Sequence, residues 1–328
     1  MPKSNKSGPA KKGKAAKECA GFKPNFDIAP HRALYPFKSN YTKINGFCYH
    51  YVDAGKGDPV VMVHGNPTWS FYYRELIKAL SPKFRCIAPD HIGCGLSEKP
   101  SEERFDYSIK SHLDNLEAFL DKIGLKKNVT MMVHDWGGPI GLSVAARRPE
   151  RISRLILLNT GAFPIPKGKK LPWQLAFVHD FPILPKIMIR GFNAFAHHAT
   201  RMGMVHPMPP EVAAGIKAPY NSWANRVATY RFVKEIPVST DEPNYAVLKQ
   251  LDSRLKAFKD TPTLVCWGEK DFVFDMEILE GFKKRLPKAE YHTFPKGGHF
   301  VLEDEPKAII KLAKRFLAEN PIRTEAGG

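Results

Sequence analysis

The chain predicts an α/β fold, a mostly parallel sheet with helices on both faces and a helical cap inserted into it. Three observations carry this. Short runs rich in Val, Ile and Leu alternate with amphipathic stretches, as in PVVMVHG before YYRELIKAL and VTMMVHD before GPIGLSVAARRP. Apolar runs that short, with helical segments between them, read as strands buried on both faces. The alternation breaks between residues 163 and 250, where prolines and aromatics replace it, and resumes at TPTLVCWG. One sheet in two parts, with an insertion between them, accounts for all three.

Taken in order, residues 1–30 read as a basic disordered tail. Residues 1–23 hold seven lysines against one glutamate, +6 of the formal +17, and few large apolar side chains to offset the entropy of ordering. The first part of the core spans residues 31–162. It opens with two alternating runs about Asn45-Gly46, the strongest two-residue hairpin signal. RCIAPD then precedes the helical IKSHLDNLEAFLDKI, and ISRLILLNT ends this part as a buried strand. In the cap, residues 163–250, FPIPKGKKLPWQLAF and HPMPPEVAAGIKAPYNSW hold too much proline for central strands. An insertion here sits over the carboxyl ends of the strands, where open α/β sheets bind ligands. Residues 251–328 complete the core with a strand, the helix MEILEGFKKRL, the strand AEYHTFP and the helix PKAIIKLAKRFLAEN.

Composition narrows the function. The remaining +11 is spread without a basic stripe or interleaved aromatics, so no specific nucleic-acid partner is expected. No apolar run reaches a membrane span, and the basic N-terminus lacks the apolar stretch of a signal peptide. The five cysteines are scattered and never in Cys-x-x-Cys spacing, which suggests neither disulfides nor zinc and fits a cytoplasmic enzyme. His197-His198 lacks a third ligand at metal spacing, so no metal and no cofactor is expected.

Three groups fall at or just beyond the carboxyl ends of expected strands: Asp135, Asp271 and His299. Taken alone, such an aspartate is usually a helix cap and such a histidine a turn residue. Together they follow the order nucleophile, acid, histidine of α/β-hydrolase triads, whose nucleophile sits on a tight strand-to-helix turn. Gly137 and Gly138 suit that turn, whereas Val133 stands where a small residue is usual. Backbone N–H groups of Asn66, in HGNPTWS, and of Trp136 would form the anion-stabilising pair, with amide and indole donors in addition. His64 is expected to support that loop. Trp69, Trp173, Phe192 and Trp223 border the expected site and are candidates for lining an apolar pocket. A carboxylate nucleophile is ionised at neutral pH and forms an ester with a carbon bearing a leaving group, so it suits displacement at alkyl carbon.

The motifs HGNPTWSFYYREL, APDHIGCGLSEKP, VHDWGGPIG, WGEKDFVFD and GGHFVLEDEP resemble the haloalkane dehalogenase superfamily of α/β-hydrolases over nearly all of residues 35–320. FNAFAHHA, MPPEVAAGIKAPYNSWANR and RFVKEIP, in the insertion, resemble its OleB-type branch, the β-lactone decarboxylases of long-chain olefin biosynthesis. The resemblance implies Asp135 as nucleophile, His299 as base, Asp271 as the acid orienting His299, and Asn66 with Trp136 as the anion-binding pair. It also implies a hydrophobic small-molecule substrate, a long-chain cis-β-lactone converted to a cis-olefin and carbon dioxide, and other enzymes of the olefin pathway as partners. Haloalkane dehalogenation is the alternative. Some dehalogenases carry the acid after the preceding strand, but that strand ends LLNTGAF here, without a carboxylate. Epoxide hydrolysis ranks behind both; it needs paired cap tyrosines, for which Tyr220 and Tyr230 are the candidates.

Overall fold

The computed structural model describes residues 18–322 apart from Lys167. Eight strands form one sheet: β1 (Ser39–Ile44), β2 (Phe47–Ala54), β3 (Pro59–Val63), β4 (Arg85–Pro89), β5 (Val129–Asp135), β6 (Ile152–Thr160), β7 (Thr263–Gly268) and β8 (Glu290–Phe294). Their order is β1-β2-β4-β3-β5-β6-β7-β8, antiparallel at β1-β2 and β2-β4 and parallel elsewhere. The β1-β2 hairpin turns on Asn45 and Gly46, both at positive φ (47° and 92°), which this residue pair accepts at low cost.

Alternate residues of the central strands enter two cores. Val61, Val63, Met131, Val133, Leu155, Leu157 and Val265 face one side, packed by helices α2 (Ile109–Lys122) and α3 (Gly137–Arg147), the last of the three core helices that begin with α1 (Arg74–Leu80). Val60, Met62, Met132, Ile156, Leu158 and Leu264 face the other, under α1 and the C-terminal helix Pro306–Glu319. Burial on both faces is why these strands read as continuous apolar runs.

Among the described residues between β6 and β7 there are six α-helices: α4 (Trp173–Asp180), α5 (Leu184–Phe192), α6 (Ala194–Met202), α7 (Pro210–Lys217), α8 (Val227–Lys234) and α9 (Pro243–Arg254). Helices α4, α5 and α8 share a small core of Leu175, Val178, Ile189, Tyr230 and Val233. Beyond β7 come α10 (Met276–Arg285), the short α11 (Val301–Asp304) and α12 (Pro306–Glu319). No helix among the described residues is long and apolar enough to cross a membrane.

Two expectations about the N-terminus need correction. The disordered tail does not extend to residue 30: Phe26 packs edge-on to Trp69 at 5.7 Å between centroids, and the Asn221 amide donates to the Asn25 carbonyl at 2.9 Å. The core supplies apolar and polar partners that the segment's own composition lacks. Residues 1–17 lie outside the described residues. Cys19 and Cys48 are disulfide-bonded across a sequence separation of 29, which spacing rules built on local motifs do not detect.

Candidate active site

β5 ends at Asp135, whose backbone adopts φ +51° before α3 begins at Gly137. Left-handed backbone at a non-glycine residue costs about 1–3 kcal/mol and is typical of functional turns. The neighbours allow no alternative. A Cβ on Gly137 would collide with the Val63 carbonyl, and one on Gly138 with Thr160 and the Gly161 carbonyl. The Thr160 hydroxyl donates to the Asp135 carbonyl at 2.5 Å, tying the turn to the end of β6.

The turn delivers a buried carboxylate with its two oxygens in different surroundings. Oδ1 accepts the Asn66 backbone N–H at 2.6 Å, and the Trp136 backbone N–H also donates to the carboxylate. Oδ2 lies 3.6 Å from His299 Nε2. Burial raises the Asp135 pKa above the ordinary carboxylate range, against the opposing pull of His299 and the two N–H donors.

His299 Nδ1 meets Asp271 Oδ2 at 2.9 Å, so the tautomer with the proton on Nδ1 leaves Nε2 as acceptor toward the Asp135 side. Burial alone would lower the His299 pKa, yet the charges of Asp271 and Asp135 and the Asp271 hydrogen bond hold it above its ordinary value. Burial would likewise raise Asp271; His299 and the N–H donors of Val273 (2.7 Å) and Phe274 (3.1 Å) bring it below.

Two positioning residues escaped the sequence reading. Asn159, at the tip of β6, donates to Asp271 Oδ2 at 3.0 Å and to the Gly268 carbonyl at 3.1 Å, while its oxygen accepts the Gly268 N–H at 2.7 Å. It joins β6 to β7 beneath the acid. The only sequence signal was an amide in LLNTGAF, where some relatives carry a carboxylate. His134 donates through Nε2 to the His299 carbonyl at 2.8 Å, and burial, with His299 beside it, pushes its pKa down to about 3. A neutral imidazole therefore braces the His299 backbone.

Asn66, Asp135, Trp136 and His299 open on a cavity of about 360 Å³ whose wall is mainly apolar, including Phe163, Leu175, Phe177, Ile189, Val233 and Phe274. The Asn66 side-chain amide donates to the Thr229 carbonyl at 3.1 Å, leaving its second N–H for the cavity. Among the described residues no acceptor meets the Trp136 indole. His64 bridges loops, with Nδ1 to the Gly65 carbonyl at 2.7 Å and Nε2 accepting the His91 N–H at 2.9 Å.

Of the four aromatics expected in the pocket, the structure brings only Trp173 into its wall. Trp69 is fully buried in the core, its indole donating to the Gly215 carbonyl at 3.0 Å. Phe192 lies 74% exposed on the outer side of the cap, and Trp223 lies under the Arg190 guanidinium at 4.7 Å. Sequence adjacency to the site does not say which face of a cap helix looks inward. Tyr220 and Tyr230 are also absent from the wall; their hydroxyls approach the Thr68 and Pro182 carbonyls at 3.4 Å. Paired tyrosines for epoxide opening are therefore not at the site. No group of metal-binding side chains occurs among the described residues.

A family model described as the alpha/beta hydrolase fold matches residues 58–306. The chain belongs to the α/β-hydrolase family. Within it, the chain is 47% identical to the cis-3-alkyl-4-alkyloxetan-2-one decarboxylase of Shewanella oneidensis, over 87% of this chain and 90% of that protein. It is 39% identical to the decarboxylase of the same name from Xanthomonas campestris, over 84% and 94%. Haloalkane dehalogenase 2 of Mycobacterium bovis is more distant, at 34% identity over 89% and 99%. Among solved structures, the haloalkane dehalogenase DatA from Agrobacterium tumefaciens superposes with a TM-score of 0.80 at 26% identity, covering 89% of this chain and 100% of that one. As an enzyme of the α/β-hydrolase family, the chain carries at its turn an aspartate in place of the serine of esterases, and that exchange governs what its site can do.

Proposed function

We propose that this α/β hydrolase is a β-lactone decarboxylase, converting long-chain cis-3,4-dialkyl β-lactones to cis-alkenes and carbon dioxide. Asp135 is the nucleophile, His299 its partner, Asp271 the group orienting His299, and Asn66 with Trp136 the anion-binding pair. The observation that carries the reading is a buried aspartate on the nucleophile turn, opening on an apolar cavity, in a chain 47% identical to a protein of that name.

The geometry favours attack at the alkyl carbon of the ring. In acyl transfer, backbone N–H donors at this place receive the carbonyl oxygen of the substrate. Here the Asn66 N–H is engaged by Oδ1 of Asp135 itself and the Trp136 N–H by the same carboxylate, with Oδ2, on the His299 side, as the oxygen that attacks. The bond from Oδ2 to the alkyl ring carbon forms as the ring carbon-oxygen bond breaks, and its electron pair stays on oxygen. The product is an alkyl ester of Asp135 bearing a carboxylate on the adjacent carbon, within reach of the Asn66 amide and the Trp136 indole. Loss of carbon dioxide then turns the carbon-carbon bonding pair into the alkene and expels Asp135 as carboxylate. Backside attack inverts one carbon and sets the ester anti to the carboxylate with both alkyl arms still on one side, so anti elimination gives the cis-alkene without rotation. No water is consumed. The charges of Asp271 and Asp135 that raise the His299 pKa against its burial favour the protonated imidazole, which would stabilise Asp135 as it leaves.

Dehalogenation is the second reading, supported by the 34% relative and by the same amide and indole donors, which suit a halide. There His299 would activate water against the ester. A competition assay separates the two, with gas chromatography for the alkene and an electrode for bromide. The decarboxylase releases cis-alkene from the lactone faster than bromide from a 1-bromoalkane. Ready bromide release, with the lactone intact or merely hydrolysed, would put the second reading in its place. We further propose a cytoplasmic location, and enzymes of the same olefin pathway as partners.

A further inference from the structure

Helix α5 is built the wrong way round for a surface helix. Pro185, Ile189 and Arg190 are buried, while Leu184, Ile187, Met188 and Phe192, at the spacing of one helical face, are exposed. Phe181 and Ile183, in the turn before it, extend this face, and Phe181 packs on Phe177 at 5.3 Å between centroids. Met188, Phe177 and the 74% exposed Trp173 also belong to the wall of the catalytic cavity. The apolar surface is thus the outer rim of the substrate chamber. A patch of this kind on a soluble protein marks a contact with something.

The charge around the rim selects what. Between residues 163 and 205 the sequence holds six Lys and Arg and a single acidic residue, Asp180. Lys186, Arg190 and Arg231 lie 3.9, 3.1 and 3.8 Å from the Glu102 carboxylate, and Arg231 also pairs with Glu235, so three cations meet two carboxylates at the base of α5. Lys169 faces two carboxylates, Asp275 and Glu277, but the neighbouring Lys170 stands exposed at the cavity edge. A second copy of a chain carrying +17 would meet this face with like charge. Exposed Leu, Ile and Phe flanked by Lys and Arg are instead the composition of a helix that lies in the interface of an anionic bilayer.

We infer that the outer face of α5, with Phe181 and Ile183, docks on an anionic lipid surface and turns the mouth of the cavity toward it. The bilayer is then the phase from which a long-chain apolar substrate enters and into which an apolar product leaves. The inference deepens the decarboxylase reading by naming the source of its substrate, but the docking itself needs no substrate.

Flotation of the full chain with phosphatidylglycerol vesicles, without substrate, tests it. The chain floats with these vesicles and remains below with phosphatidylcholine vesicles. The triple variant Leu184→Ser, Ile187→Ser, Phe192→Ser, none of whose residues belongs to the cavity wall, partitions about tenfold or more weaker. Its melting temperature and its turnover of a short-chain, water-soluble lactone stay close to those of the parent. Three results overturn the inference: no flotation of the parent; equal flotation of the variant, which would assign binding to the basic N-terminus; or a concentration-dependent dimer of the parent that the variant abolishes, which would make a second copy the occupant. If flotation holds while no lactone is turned over, the decarboxylase reading fails and the docking stands.

Discussion

At the residue scale the site depends on keeping one buried carboxylate charged and aimed. Asp135→Ala removes the covalent route, and turnover falls by about a thousandfold or more; retention of a tenth of the activity contradicts the nucleophile assignment. The pH profile has a definite sign. As the proposed nucleophile Asp135 must be ionised to attack, and its pKa is raised, so kcat should fall on acidification at a pH above the ordinary carboxylate value of about 3.9. The same shift makes ionised Asp135 a burden on the fold at neutral pH, one that lessens as pH falls through its raised value. Asp135→Asn, which keeps shape and removes charge, therefore raises the melting temperature at pH 7. Asp271 works in the opposite sense: its pKa is lowered, so its stabilisation is full above the unfolded-state value and is lost as pH falls through the folded one. Asn159→Ala frees the Asp271 carboxylate to turn and lowers kcat by about tenfold to a hundredfold with little change in KM. An equal loss in the Asp271→Asn background would show that Asn159 acts elsewhere.

At the scale of elements, the turn between β5 and α3 was legible because its demands are local. Gly137 and Gly138 follow Asp135 since backbone and Thr160 leave no room for a Cβ there. Gly137→Ala should cost about 3 kcal/mol in urea unfolding, through overpacking against the Val63 carbonyl; a change below 1 kcal/mol would mean that the turn is looser than its geometry. The meeting of Asp135, Asp271 and His299 was readable for the same reason, as each lies at or just beyond the end of a strand of recognisable pattern. The cap was legible as helical but not in its inward face. Its prolines, which exclude central strands, start helices, as at Pro185, Pro210 and Pro243 in their first turns. Which face of such a helix lines the chamber depends on packing between helices, so Phe192 and Trp223 point away while Ile189 and Val233 line it. Asn159 and His134 act through contacts 112 and 165 residues away in sequence, which no local pattern records.

At the scale of the whole molecule, core and insertion enclose the cavity together, and the N-terminal segment fastens both. Glu18 pairs with Lys122 of α2 at 2.5 Å, and the Asn25 carbonyl accepts from Asn221 of the insertion. Deleting residues 1–30 should accordingly lower the melting temperature in calorimetry, by removing Phe26 from Trp69 and the Cys19–Cys48 link. An unchanged transition would show these contacts to be passive. On the proposed reading the chamber sets the chemistry: an apolar enclosure would spare an ester on Asp135 from water, and the placement of Asn66 and Trp136 would direct which bond of the ring opens. The most direct measurement uses a cis-3,4-dialkyl β-lactone labelled isotopically in the ring oxygen, with mass spectrometry of headspace and organic phase. Opening at the alkyl carbon gives cis-alkene and places the whole label in carbon dioxide. Label retained in a 3-hydroxy acid, its carbon-oxygen bond never broken, would contradict the account.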